Sequence, residues 1–155
     1  MRKVMGIAAA VVLMMLWSAA TYAQYGYDYP SSPGSGLAEQ LRTARTHATY
    51  AAQSEILRGV REHLGHVVNC LEGPRGKNFD AKNDNPCQGQ GSGVIPDLES
   101  AVRSGQTGAS RALEAAREAD KLAVETLAVS DLARAKTAAS RVANVLGEAL
   151  RAVGQ

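Results

Sequence analysis

The chain has 155 residues, and 17 Lys and Arg against 15 Asp and Glu give it a formal net charge of only +2. So small a basic excess argues against nucleic acid as a partner, because phosphate binding needs concentrated positive charge. A chain of this length builds one domain with a modest core.

The first 23 residues have the layout of a secretory signal peptide. Arg2 and Lys3 precede an apolar run over residues 4–17, and a stretch of small residues then ends at Ala23. The alternative is a retained membrane helix, but a span needs about 20 apolar residues. Cleavage after Ala23 removes Arg2 and Lys3, which lowers the number of Lys and Arg residues from 17 to 15. This number equals that of the 15 acidic residues. We therefore expect a periplasmic or secreted protein with no stable membrane anchor.

Residues 24–36, which read QYGYDYPSSPGSG, show neither helical nor strand periodicity and predict a disordered linker. Residues 37–155 are predicted to form one helical domain. Apolar residues recur at steps of three and four over 37–72, 109–129 and 132–153, and Pro96 to Ser104 fits a short helix. No strand-like alternation occurs. The pattern predicts an all-α, up-down antiparallel helical bundle of three long helices and one short one.

A loop rich in Gly and Pro is predicted over residues 73–96, after a stop signal at Gly73-Pro74. A loop this long is uncommon unless it is functional or tied down. Cys70 and Cys87 lie at its two sides, and two cysteines in an exported protein most often form a disulfide. A Cys70–Cys87 bond would attach the loop to the end of the first helix.

The candidate site is a metal site around His63 and His66. With Cys70, these residues are spaced i, i+3, i+7 and so share one helix face. Imidazole and thiolate are ligands that copper and zinc prefer, and Glu62 adds a carboxylate. Cys70 is a ligand only if it is reduced, and otherwise carboxylates from a facing helix would complete the site: Glu114, Glu118 or Glu125. The alternative is that His63 and His66 are ordinary surface histidines.

The third histidine, His47, is expected to stand apart from this site. It lies 16 residues before His63, which is about 24 Å along a straight helix. The residues Asp80, Asn83, Asp84 and Asn85 do not follow the EF-hand ligand order and predict a solvated turn.

No motif supports an enzyme. The chain has no CxxCH for haem attachment and no nucleophile elbow, and its Gly73–Asn78 segment lacks the spacing of a phosphate loop. We therefore assign no catalytic residue, no haem and no nucleotide.

The run HLGHVVNC, followed by GPRGKNFD and NPCQGQG, resembles small exported bacterial helical proteins that are uncharacterised. More loosely, a signal peptide followed by Ala-rich, His-bearing helices is similar to the periplasmic small metal-binding proteins. That resemblance implies a four-helix bundle that takes up copper and other divalent metals through many histidines. This chain has only three, which argues against high-capacity storage.

Two functions follow from the sequence. The first is a non-catalytic protein that binds copper or zinc near His63 and His66. The alternative is a structural or interaction protein of the periplasm whose disulfide-stapled loop docks a protein partner and which needs no metal.

Overall fold

A computed structural model describes residues 35–154, and the predicted signal peptide and nearly all of the predicted linker lie outside this range. The described part is all-helical and contains no strand, as predicted. Its five helices are α1 (Ser35–Gln53), α2 (Leu57–Glu72), α3 (Val94–Arg103), α4 (Ala109–Leu127) and α5 (Leu132–Ala152). Helix α1 thus begins two residues before the predicted domain boundary at Leu37. The up-down order of neighbouring helices stays a prediction.

Alanine dominates the contacts between the helices. Helix α5 packs against α4 and α1, while α2 packs against α1 and α4. Small side chains let helix axes approach closely, because no long side chain separates the backbones. Leucine and valine from α2, α3 and α5 fill the remaining space. The fully buried alanines are Ala44, Ala48, Ala51, Ala109, Ala112, Ala116, Ala119, Ala123, Ala135, Ala139 and Ala149.

The single helix predicted over residues 37–72 is in fact two helices, and this corrects the sequence interpretation. The backbone turns at Ser54, whose N–H donates to the Ala51 carbonyl (3.2 Å) and whose hydroxyl donates to the Tyr50 carbonyl (2.9 Å). Ile56 is extended, with φ −130° and ψ 146°. Such hydrogen bonds by serine compete with helix continuation. Helix α2 consequently packs against α1 instead of extending it.

Residues 73–93 connect α2 to α3 through turns, without a helix. The predicted disulfide between Cys70 and Cys87 is present, with an S–S distance of 2.03 Å. Both cysteines are buried in the core. The chain-entropy model assigns a ring of this size about 3 kcal/mol of stabilisation. The segment is therefore covalently attached to the last turn of α2.

Among residues 35–154, none of the helices combines the length and the apolar character needed to cross a membrane.

Candidate metal centre

The turn between α1 and α2 determines which histidines meet. His47 lies in the second half of α1, and His63 and His66 lie one helical turn apart on α2. Because the two helices pack against each other, the ring of His47 comes to rest beside both rings of α2. The ring centroid of His47 is 5.5 Å from that of His63 and 4.8 Å from that of His66. All three histidines of the chain therefore form one cluster.

His47 is the correction to the predicted site. The sequence interpretation placed it about 24 Å from His63 by treating residues 37–72 as one straight helix. The break at Ser54–Ile56 folds α2 back, and a ring nitrogen of His47 then lies within hydrogen-bond distance of both other rings. The polar residues next to His47 in the sequence do not indicate that it joins the site, because the cluster depends on the turn between α1 and α2.

The ring nitrogens of the cluster converge. His47 Nδ1 lies 3.1 Å from His66 Nδ1 and 3.4 Å from His63 Nδ1. One potential ligand atom from each histidine lies within 4.8 Å of the other two. Two nitrogens bound to one tetrahedral zinc ion at about 2.0–2.1 Å would be about 3.3 Å apart. The two separations from His47 Nδ1 thus match those of ligands that share an ion.

Hydrogen bonding alone satisfies this cluster poorly. A neutral imidazole nitrogen carries either one proton or one lone pair. His47 Nδ1 faces two other Nδ1 atoms, so it can make a single well-directed hydrogen bond to only one of them. If each ring instead keeps a lone pair on the nitrogen that faces the cluster, the three lone pairs can all point at one cation, which is how imidazoles bind zinc and copper.

The environment favours the neutral form of two of the three imidazoles, those of His47 and His66. Burial lowers the pKa of His47 to about 4, with His66 and His63 contributing further. Burial and then His63 lower the pKa of His66, against smaller opposing effects of Asp84 and Glu62. A neutral ring has a lone pair free for a metal, and at pH 7 no proton has to leave His47 first.

The histidine cluster is partly exposed to solvent. His66 is nearly buried, with 9% of its surface exposed, whereas His47 and His63 are half-buried. Tyr50, on α1, covers one side, with its ring centroid 5.7 Å from His47 and 5.5 Å from His63. An ion can therefore reach the cluster from solvent without a rearrangement of the core.

The other predicted ligands are not part of the cluster. Cys70 forms the disulfide with Cys87 and offers no thiolate. Glu62 stands outside the three-histidine group, although its charge acts on His66. On α4, Glu114 is exposed and outside the three-histidine group. Glu118 pairs with Arg141, and Glu125 pairs with Lys121.

The oxygen-rich run after Phe79 forms a turn, as predicted. Asp80 Oδ1 accepts a hydrogen bond from the Lys82 N–H, and Asn85 Oδ1 accepts one from the Cys87 N–H. These side-chain oxygens thus support the local backbone.

No protein-family model, curated protein or solved structure matches this chain.

Proposed function

We propose that this protein binds one transition metal ion, copper or zinc, through ring nitrogens of His47, His63 and His66, and that it does so without catalysing a reaction. The observation that carries the proposal is the convergence of one ligand atom from each histidine within 4.8 Å. Imidazole suits both copper and zinc, and this set contains no thiolate to select between them.

The proposed stoichiometry is one ion per chain. The chain has three histidines and all three belong to the same cluster. A protein that stores many ions would need further ligand groups. Three protein ligands also leave a coordination position for water or for a ligand that delivers or removes the ion.

We propose that the protein works outside the cytoplasm, in the periplasm or after secretion. The disulfide supports this location, because disulfides persist in oxidising compartments and are rare in the cytosol. The signal-peptide pattern of residues 1–23 supports it independently.

Calorimetric titration of the metal-free protein with Zn²⁺ and with Cu²⁺ tests the proposal. We expect saturable binding of one ion per chain. His47→Ala, His63→Ala and His66→Ala should each lower the affinity by more than about 100-fold, which exceeds the usual effect of residues that only support a ligand. Arg111→Ala, at an exposed position on α4, is the control and should bind as the wild type does.

His47→Ala is the decisive variant, because only the fold brings this residue to the site. Circular dichroism of each variant establishes that the helices are retained. Wild-type affinity in the folded His47→Ala protein would contradict the three-histidine site. Absence of saturable binding by the wild type would remove the metal function, and the docking of a protein partner by residues 73–93 would then be the hypothesis to test.

A further inference from the structure

Residues 80–87 are fastened to α2 next to His66. The first attachment is a close approach at Gly65, where a Cβ atom would lie 2.8 Å from Asn83 Nδ2. Because Gly65, immediately before His66, has no side chain, the 80–87 segment can lie directly against α2. The disulfide from Cys70 to Cys87 is a second attachment, one turn after His66.

Asn69 provides the third attachment. Its side chain is 1% exposed. Its Nδ2 donates to the backbone carbonyls of Asp80 (2.9 Å), Asn83 (3.1 Å) and Asp84 (3.2 Å), and its Oδ1 accepts from the Asp80 N–H (2.9 Å). A buried amide that satisfies several backbone groups fixes their positions, because a buried donor or acceptor left without a partner destabilises the folded state. The backbone of Asp84 is thereby held beside α2.

The attachments place the Asp84 side chain in a cleft with His66. This cleft has a volume of about 460 Å³, and its wall also includes Glu62. Glu62 precedes His66 by one helical turn and reaches the cleft from the same helix face. Two carboxylates, one from the loop and one from the helix, thus line the same cleft as the imidazole.

His66 has two edges with different neighbours. Its Nδ1 is 3.1 Å from His47 Nδ1, inside the cluster. The Nε2 atom belongs to the other edge of the ring, where no cluster nitrogen is in hydrogen-bond distance. The partner of one ring nitrogen decides which nitrogen keeps the proton, and histidines that bind metals usually have a carboxylate, carbonyl or water on the far side.

We propose that Asp84, together with Glu62, is a positioning residue for the metal site: their carboxylates hold the proton of His66 on Nε2 and leave the Nδ1 lone pair directed at His47. The consequence for metal affinity rests on the proposed function, whereas the position of the proton does not.

The charges in the cleft are not all negative. Arg58, Arg61 and Lys82 also line it. Arg61 is engaged elsewhere, since its Nη2 donates to the Val129 carbonyl at 3.0 Å. Burial and His63 have the larger effects on the pKa of His66 and lower it, whereas Asp84 and Glu62 raise it, and no effect of these cations is resolved.

The first test uses metal-free, ¹⁵N-labelled full-length protein at pH 7. Long-range ¹H–¹⁵N spectra report which imidazole nitrogen carries the proton. We expect His66 to be protonated on Nε2 in the wild type, and the Nδ1-protonated form to become populated in the Glu62→Gln/Asp84→Asn double variant. Glu114→Gln removes the same charge from an exposed position on α4 and should leave the spectrum unchanged.

The second test is the affinity for Zn²⁺. Asp84→Asn should lower it by about 10–100-fold, Asp84→Glu should restore most of the loss, and Glu114→Gln should have no effect. Unchanged His66 spectra in the double variant would overturn the proposal, and so would unchanged affinity of Asp84→Asn in a protein that binds zinc. If the wild type binds no metal, the proposed function fails while the spectra still decide where the proton of His66 is held.

Discussion

Gly73 and Gly93 bring the two ends of the 73–93 segment together. Gly73 has φ +67°, and a Cβ atom there would lie 1.9 Å from the Ser92 carbonyl oxygen. Gly93 has φ +119°, and its Cβ would lie 2.7 Å from the Gly73 nitrogen. Backbone therefore contacts backbone, and the neighbouring atoms cannot rotate away as a side chain can. Only glycine allows the last turn of α2 and the first turn of α3 to meet in this way.

We predict that Gly73→Ala lowers the free energy of unfolding by about 2–5 kcal/mol, of which about 1–3 kcal/mol comes from a backbone conformation that is nearly exclusive to glycine, with φ +67° and ψ 179°, and the rest from displacement of the loop backbone. Gly89→Ala is a matched control. Its φ is also positive, at +81°, but a Cβ there meets no atom within 4 Å. It should cost only the about 1–2 kcal/mol of the backbone conformation. Urea unfolding measures both, and equal losses would show that the contact with Ser92 is unimportant.

Residue chemistry made some of these features predictable. Gly73 was predicted to end α2 because glycine followed by proline cannot continue a helix, and α2 ends at Glu72. The disulfide was predicted because Cys70 and Cys87 are the only cysteines of a chain with a signal-peptide pattern. The role of Asn69 was not predictable, since its four bonds depend on where the loop backbone lies.

The turn between α1 and α2 decides the architecture at the scale of whole elements. The breaks before α4 and α5 were predictable from Gly105–Gly108 and from Ser130-Asp131, and Asp131 caps α5 by accepting a hydrogen bond from the Arg134 N–H. The turn at residues 54–56 has neither glycine nor proline, and apolar spacing continues across it. The helical periodicity therefore continues across the turn. For this reason the sequence interpretation treated residues 37–72 as one helix and left His47 out of the site.

We predict that Ile56→Asp stabilises the protein by about 0.5–2 kcal/mol. Ile56 occupies the N-cap of α2 in an extended conformation, yet makes no side-chain capping bond, and the first turn of α2 has no acidic residue. An aspartate there can accept from a free backbone N–H and favours the positive end of the helix. The isoleucine itself contributes little to the core, because 57% of its surface is exposed.

Ile56→Ala is the control for that variant, because it removes the same apolar side chain without adding a cap. Thermal and urea unfolding should rank the aspartate variant above the wild type and the alanine variant. If aspartate and alanine give the same stability, the N-cap of α2 is already satisfied by other means.

For the molecule as a whole, the pH dependence of stability has opposing contributions, because the pKa of Asp120 is raised while the pKa values of His47 and His66 are lowered. Burial, with Glu72 beside it, raises the pKa of Asp120 to about 7 from 3.8. Asp120 Oδ1 is buried and accepts no hydrogen bond. Between pH 3.8 and 7 the folded state therefore binds the extra proton, and stability falls as the pH rises. His47 acts oppositely: its folded pKa of about 4 lies below 6.5, so stability rises with pH between 4 and 6.5.

The effects of Asp120 and of the histidines oppose each other below pH 6.5, and a single substitution separates them. We predict that Asp120→Asn raises the free energy of unfolding by about 1–2 kcal/mol at pH 8, after discounting for a carboxyl that is partly exposed, and changes it little at pH 4.5. At pH 8 the wild type has a charged Asp120 beside Glu72, and the substitution replaces that charged carboxylate with a neutral amide. At pH 4.5 the wild-type carboxyl is already protonated and resembles the amide. The histidine contribution is the same in both proteins and cancels in the difference.

Urea unfolding of metal-free protein at the two pH values measures this difference. Glu114→Gln, on the exposed side of the same helix, removes one negative charge without relieving a buried one and should show no such pH dependence. A gain from Asp120→Asn that is the same at pH 4.5 and pH 8 would mean that Asp120 does not titrate between them. A loss of stability at both pH values would mean that the Asp120 carboxylate stabilises the folded protein. The proximity of α2 and α4 would then have no electrostatic cost at neutral pH.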